Sequence, residues 1–335
     1  MTKIAVFGAG TWGIALARLL AANGRDVTVW SAIPAELKSL STTHRHPNLP
    51  GMELPAAMHY TADIAEACTG RDILLFAVPS PFVRATAKKA APHIPEGQLI
   101  VDVAKGVEDK TLMTMSEIIE DELAKAGRKA RVVALSGPTH AEEVICRKPS
   151  AAVVASADEG TALFFRDLFA TRFFRTYTSD DPVGVELCAA FKNVIAIAVG
   201  ISYGMGFGDN TAAMLITRGL AEMSRMVVAA GGEALTCMGL GGAGDMVVTC
   251  MSQHSRNRRF GEQYVARGLT LDDFTAQTHM VVEGAIACKT LATLEARYEV
   301  DLPLTDTVRS VVWEGVNPRE AAAALIDRPL KSEFY

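Results

Sequence analysis

Short apolar runs separated by glycine turns fill the first half of the chain, and helical periodicity dominates the second. KIAVF (3–7) is followed by GAGTWG (8–13) and by IALARLLAANG, which predicts a helix ending at Gly24. DVTVW (26–30) predicts the next strand. Strand, glycine turn, helix and strand in this order form the unit of a parallel α/β sheet. After a proline-rich loop at 47–55, DILLFAVP (72–79) predicts a third, buried strand. LIVDVAKG (99–106) and RVVALSGP (131–138) predict two more, each ending in a turn that contains glycine. Residues 109–127 have helical character, and AAVVAS (151–156) and RFFRTY (172–177) predict strands flanking a further helix.

The pattern changes at TSDDP. Asp181 followed by Pro182 reads as an N-cap with proline at the first helical position. The expected division is an α/β domain over 1–179 with a mostly parallel sheet, and an all-helical domain over 180–335.

One helical run contains a misfit. In ELCAAFKNVIAIAVG (186–200), Lys192 falls in line with Cys188, Ala189, Ile195, Ala196 and Val199. An ammonium group on an apolar face is costly to bury unless it snorkels to water or is compensated. Burial, and a neighbouring cation, would make such a lysine a proton donor near neutral pH.

Composition narrows the function classes. Hydrophobic residues are 49% and charged residues 21%, a globular composition. The net charge of −5 does not suit nucleic acid or an anionic membrane as a partner, so an anionic ligand needs a local basic site. The six cysteines are scattered without a C-x-x-C pair, which points to reduced thiols rather than disulfides or metal. The seven histidines show no ligand-like cluster, so no metal is expected. No leader is expected before the first strand, and stable membrane insertion is not expected either: the 186–200 run is short for a span and carries a lysine.

GAGTWG matches the dinucleotide fingerprint G-x-G-x-x-G at Gly8, Gly10 and Gly13. The glycines permit the tight turn, the approach of a pyrophosphate and close helix packing, and the helix N-terminus faces the negative charge. GLGGAG (239–244) also matches, at Gly239, Gly241 and Gly244, but follows no strand and reads as a packed turn between helices. The second strand ends VWSA, with Trp30 and Ser31 where an acid would hold the adenine ribose. No arginine stands there and no acid opposes a 2′-phosphate, so NAD or NADP is expected; the motif alone also admits a flavin.

Ligands of such sheets bind beyond the carboxyl ends of the strands. Lys105 follows IVDVA, and Gly137, Pro138 and Thr139 follow VVALS. Lys105 is equally readable as a surface lysine, and Thr139 and His140 as a helix cap. In DMVVTCMSQHSRNRRFG (245–261), Ser255, Arg256, Asn257, Arg258 and Arg259 offer arginine forks and polar donors for phosphate, or form a basic surface loop. Asp245 reads as a group that orients a lysine or as a helix cap.

With these residues in view, the chain resembles bacterial NAD(P)-dependent glycerol-3-phosphate dehydrogenase nearly end to end. The resemblance rests on GAGTWG, AKG (104–106), SGPTHAEE (136–143), GVELCAAFKNVIAIAVGI (184–201), GDNTAAMLITRGLAEM (208–223), GGAGDMVVTC, SRNRRFG and VVEG (281–284). It implies a Rossmann-type N-terminal domain, a helical C-terminal domain and catalysis in the cleft between them. It implies interconversion of dihydroxyacetone phosphate and sn-glycerol 3-phosphate, which supplies the phospholipid backbone, in a cytoplasmic homodimer. Carried over by position, it makes Lys192 the general acid/base and Lys105 a contact to both substrate and cofactor. Gly137, Thr139, Asp245, Ser255, Arg256 and Asn257 would line the substrate site, with Arg256 also reaching the cofactor. Thr11, Trp12, Ala141, Val281 and Glu283 would contact the cofactor.

Three departures concern local contacts: Ala104 where serine or threonine is common, Thr139 where serine is frequent, and Tyr203 where aspartate is. Two alternatives remain, a related two-domain dehydrogenase of a 2-keto or sugar acid and a dinucleotide sensor without chemistry. A sensor has no use for a desolvated lysine.

Overall fold

The computed structural model describes residues 1–278, 281–330 and 332–333. The chain divides into two compact units, Met1–Lys105 with Met113–Pro182, and Gly106–Leu112 with the chain from Val183 onward.

Unit 1 is built on an eight-stranded sheet: β1 (Lys3–Phe7), β2 (Asp26–Trp30), β3 (His59–Thr61), β4 (Ile73–Phe76), β5 (Gln98–Asp102), β6 (Ala130–Ser136), β7 (Ser150–Ala155) and β8 (Phe174–Ser179). The order is β3-β2-β1-β4-β5-β6-β7-β8. All pairs are parallel except β6 with β7, so the Rossmann order 3-2-1-4-5-6 carries a reversed two-strand extension. The first six strands therefore share one carboxyl edge.

The apolar runs are continuous because both faces are covered. Ile4, Val6, Ile73 and Leu75 pack into one core with α1 (Thr11–Ala22) and α7 (Glu159–Phe169). Ala5, Phe7, Leu74 and Phe76 pack into the other with α4 (Val83–Ala90) and α5 (Met115–Lys125). Three short helices, α2 (Pro34–Thr43), α3 (Ile64–Cys68) and α6 (Ala141–Ile145), complete the connections.

Two features differ from the sequence pattern. The edge strand β3 reads HYT, too short and too polar to register as a strand. The helix expected over 109–127 begins only at Met115, where Thr114 and Glu117 form a reciprocal cap, with Thr114 N donating to Glu117 Oε2 at 2.8 Å. The preceding residues 106–112 belong to unit 2, where Val107 and Leu112 join the apolar core.

Beyond that excursion the described part of unit 2 is helical: α8 (Pro182–Gly204), α9 (Asp209–Ala229), α10 (Asp245–Met251), α11 (Arg256–Arg267), α12 (Leu271–Thr278), α13 (Glu283–Tyr298), α14 (Pro303–Glu314) and α15 (Pro318–Ile326). α8 is longer than the run seen in the sequence and could span a bilayer by length and composition, but its apolar window is wholly buried. Residues of the other helices, among them Met223, Met246, Phe260, Phe274, Leu291 and Val308, share its apolar core. Gly200 and Gly261 let α8 and α11 touch backbone to backbone: a methyl on Gly261 would lie 2.3 Å from the Ile197 carbonyl oxygen.

A buried carboxylate joins two of these helices. Glu222 on α9 accepts from Leu304 N at 2.5 Å, Thr305 N at 3.1 Å and Thr305 Oγ1 at 2.9 Å, satisfying orphan donors at the start of α14. Burial pushes this carboxyl up to about 7, against the pull of those hydrogen bonds and of Arg225. With the folded value above the unfolded one, folding takes up a proton between about 4.5 and about 7. Stability is expected to fall as pH rises through that window and to level off above it. Denaturant unfolding at pH 5 and pH 8 checks this: wild type should lose roughly 1–3 kcal/mol more than Glu222→Gln, which cannot ionise.

Candidate active site

In unit 1 the loop after β1 is shaped by contacts only glycine allows. Gly8 has φ +122°, and a Cβ there would sit 2.7 Å from the Ala77 carbonyl oxygen. A Cβ on Gly13 would sit 2.2 Å from the Gly8 carbonyl oxygen, so α1 lies directly against the loop. Gly10 is the opposite case: a Cβ there meets nothing within 4 Å. Gly10 caps α1 without a side-chain hydrogen bond, so no cap side chain satisfies the first amide groups of the helix, which begins at Thr11 and Trp12. A tight turn, an open glycine and an uncapped helix start fit a pyrophosphate.

Other expected residues of unit 1 share that carboxyl edge. Lys105 ends the segment after β5 and precedes Gly106 at φ +151°. Gly137 follows β6 at φ +147°, where a Cβ would lie 2.9 Å from the Ala151 carbonyl oxygen. Thr139 Oγ1 donates to the Gly137 carbonyl at 3.1 Å, and Ala141 opens α6 in a buried position. His140 is the residue preceding that helix but makes no side-chain cap to it.

The end of β2 holds an acid that the linear sequence hid. Ser31 Oγ donates to Glu36 Oε2 at 2.8 Å and accepts from Ile33 N at 3.1 Å. Glu36 lies in the first turn of α2, and the fold returns it to the strand end. Nearby, burial pushes the His46 imidazole below its ordinary value, outweighing a hydrogen bond to the Ala9 backbone and the pull of Glu36.

In unit 2 the misfit lysine is accounted for. Lys192 is buried, and its Nζ lies 3.1 Å from Asp245 Oδ1 and donates to Thr249 Oγ1 at 2.8 Å. Thr249 in turn donates to the Asp245 carbonyl at 2.6 Å. The lysine is thus compensated by an ion pair rather than excused by snorkelling. Asp245 can aim at it because α10 is entered through a π-helical turn, Leu240–Gly244. This turn is the second glycine string: a Cβ on Gly242 would meet the Cys237 carbonyl oxygen at 2.1 Å, so the string serves packing. Beside the pair, burial pushes the Cys250 thiol up to about 12, despite the Lys192 and Arg258 cations, and leaves it unreactive.

A second network begins one residue further on. Asn193 Oδ1 accepts from Asn257 Nδ2 at 2.9 Å, and Asn193 Nδ2 donates to Glu283 Oε2 at 3.3 Å. Asn257 Oδ1 accepts from Gly284 N at 2.9 Å, fastening α13 to α11, while Val281 lies just before α13. Glu283 Oε1 lies 3.8 Å from Arg256 Nη2, and Arg256 keeps 43% of its side chain exposed. Ser255 caps α11 by accepting from Arg258 N at 3.2 Å.

The run of arginines is not one cluster. Arg258 is buried, with its guanidinium 4.9 Å from the centre of the Tyr203 ring and its Nη1 donating to the Met251 carbonyl at 3.2 Å. Arg256, by contrast, offers its head to solvent. Tyr203 donates to Asp209 Oδ1 at 3.1 Å.

Thr249 and Asn193 went unnoticed in the sequence. Thr249 stands four residues after Asp245, one helical turn, a spacing that could have flagged it. Asn193 was legible as a second polar residue in the apolar run. Nothing in the linear sequence ties Glu36 to Ser31.

Comparison with known proteins adds an independent line. Residues 3–162 match the family model for the NAD-dependent glycerol-3-phosphate dehydrogenase N-terminus, and residues 181–323 match that for the C-terminus. A glycerol-3-phosphate dehydrogenase (NAD(P)+) of Lactobacillus delbrueckii subsp. bulgaricus is 49% identical, over 100% of this chain and 99% of its own length. One from Agathobacter rectalis is 44% identical, over 99% and 98%. The crystal structure of the Coxiella burnetii glycerol-3-phosphate dehydrogenase, 33% identical, superposes with a TM-score of 0.92 over 98% of this chain and 99% of that one. By its sequence, its sheet and its two glycine-shaped and lysine-bearing centres, the chain belongs to the NAD-dependent glycerol-3-phosphate dehydrogenase family.

Proposed function

We propose that this chain is an oxidoreductase that interconverts dihydroxyacetone phosphate and sn-glycerol 3-phosphate with NAD or NADP. The observation that carries the reading is the buried Lys192 ammonium, held by Asp245 and Thr249, in a chain whose first unit has a loop shaped for a dinucleotide. A dinucleotide held by that loop would supply the hydride chemistry at C2, reducing the ketone or oxidising the alcohol.

The remaining chemistry belongs to this chain. Lys192 Nζ donates a proton to the oxygen on C2 as it becomes an alkoxide, and removes it in the reverse direction. Asp245 and Thr249 fix the direction of that ammonium, which a flexible four-carbon stem would not do alone. Lys105 adds positive charge at the strand ends. Arg256, with Ser255 and Asn257, holds the phosphate, and Glu283 limits where the Arg256 fork swings. Gly137 and Thr139 supply backbone and hydroxyl contacts to substrate. Thr11, Trp12, Ala141, Val281 and Glu283, with Arg256 and Lys105, contact the dinucleotide. Phosphate binding remote from C2 orients the reacting carbon.

The same reading places the enzyme in the cytoplasm, supplying glycerol phosphate for phospholipids, with a homodimer as its working form. Exposed apolar side chains at Leu235, Met238, Val247 and Met251 support an interface on unit 2.

Arg256→Ala tests the phosphate assignment. It is expected to raise KM for dihydroxyacetone phosphate by about tenfold or more, the worth of one charged hydrogen bond, with a smaller change in kcat. Turnover of unphosphorylated dihydroxyacetone should barely change. An unchanged KM would remove Arg256 from the phosphate site.

A further inference from the structure

The Ser31–Glu36 pair at the end of β2 is not used in the chemistry above. In a doubly wound sheet this strand end faces the adenine ribose, where an acid accepts from the 2′-hydroxyl and a cation accommodates a 2′-phosphate. Here two donors of the turn point inward. The Ser31 hydroxyl donates to Glu36, and Ile33 N donates to Ser31. What the turn offers outward is the exposed Glu36 carboxylate, with acceptor positions beyond the one Ser31 occupies. The intervening residues Ala32, Ile33, Pro34 and Ala35 carry no cation. His46, which contacts the Ala9 backbone within the glycine loop, is held towards its neutral form by burial. The turn therefore presents a negative charge on Glu36.

We propose that Glu36, anchored by Ser31, makes this chain select a dinucleotide with a free 2′-hydroxyl over one with a 2′-phosphate, so that it works with NADH in preference to NADPH. The proposal rests on the dinucleotide site described above. The carboxylate accepts from the ribose hydroxyls, and it repels a phosphate placed on the 2′-oxygen. An acidic residue in the first turn of a helix also suits the helix dipole. That role alone predicts no discrimination between the two cofactors, so binding separates the two accounts.

The test is equilibrium titration of the purified full-length protein, at fixed ionic strength, with ADP-ribose and 2′-phospho-ADP-ribose as probes, followed by tryptophan fluorescence. Wild type is expected to bind ADP-ribose about tenfold or more tighter. Glu36→Gln should shrink the ratio several-fold, chiefly by improving the phosphorylated probe. Ser31→Ala, which keeps the charge, should leave the preference in the same direction. Equal or tighter binding of the phosphorylated probe by wild type, or an unchanged ratio in Glu36→Gln, would overturn the selectivity while leaving the dinucleotide site intact. Failure of both probes to bind would overturn the site and the selectivity together.

Discussion

Lys192→Ala is expected to lower kcat by roughly 10²–10⁴-fold, the worth of a positioned proton donor, with little change in dinucleotide affinity. The dinucleotide loop is built within unit 1 and Lys192 lies in unit 2, which is why the two properties should separate. The substitution also leaves Asp245 buried without its cation, and that costs about 3–5 kcal/mol of stability in comparable pairs. Loss of turnover must therefore be read beside a circular dichroism spectrum and a dinucleotide titration. Lys192→Arg gives the second reading. It keeps a cation for Asp245, but a guanidinium does not release its proton in the accessible pH range. Turnover should again be lost while the fold is kept. Near wild-type turnover in either variant would remove Lys192 from proton transfer.

Gly13→Ala should abolish measurable dinucleotide binding, by at least about a hundredfold, and cost roughly 2–4 kcal/mol in stability. The added methyl would stand 2.2 Å from the Gly8 carbonyl oxygen and 3.2 Å from the Ala77 Cβ. α1 can make room only by moving off β1, which also moves its N-terminal amides. Gly10→Ala is the informative companion. Its methyl meets no protein atom within 4 Å, so stability should hold, while the methyl takes space where the pyrophosphate lies. Thermal unfolding and dinucleotide titration on both variants check the pair. Wild-type affinity in Gly13→Ala with an unchanged melting temperature would contradict the account of the loop.

Much of the fold was legible because the parallel strands are buried on both faces and so read as unbroken apolar runs. KIAVF and DVTVW have the observed boundaries. β3 was not legible: HYT is three residues at a sheet edge, with neither length nor apolar character. Part of the excursion at 106–112 lies inside the 109–127 stretch that reads as helical, yet its apolar Val107 and Leu112 serve the core of the other unit. The reversal of β7 is a matter of pairing, which no local pattern encodes.

The candidate site divides in the same way. Lys192 announced itself through the apolar residues around it, because burying a charge demands a reason. That reason, Asp245 with Thr249, is tertiary and depends on a π-helical turn that looked like a decoy glycine string. Arg256 and Arg258 were alike in sequence and are opposite in structure, one half exposed and one stacked on Tyr203. Glu36 was invisible because an exposed acid in a helix's first turn is commonplace. Only the return of α2 to the end of β2 gives it a partner.

The most direct test of the central claim is the oxidation of NADH by the purified protein on addition of dihydroxyacetone phosphate, followed by nicotinamide absorbance and repeated with NADPH. The account predicts oxidation that depends on dihydroxyacetone phosphate, yields sn-glycerol 3-phosphate in equal amount, and is lost in Lys192→Arg. No oxidation with either cofactor, from a protein shown by titration to bind the dinucleotide, would contradict it.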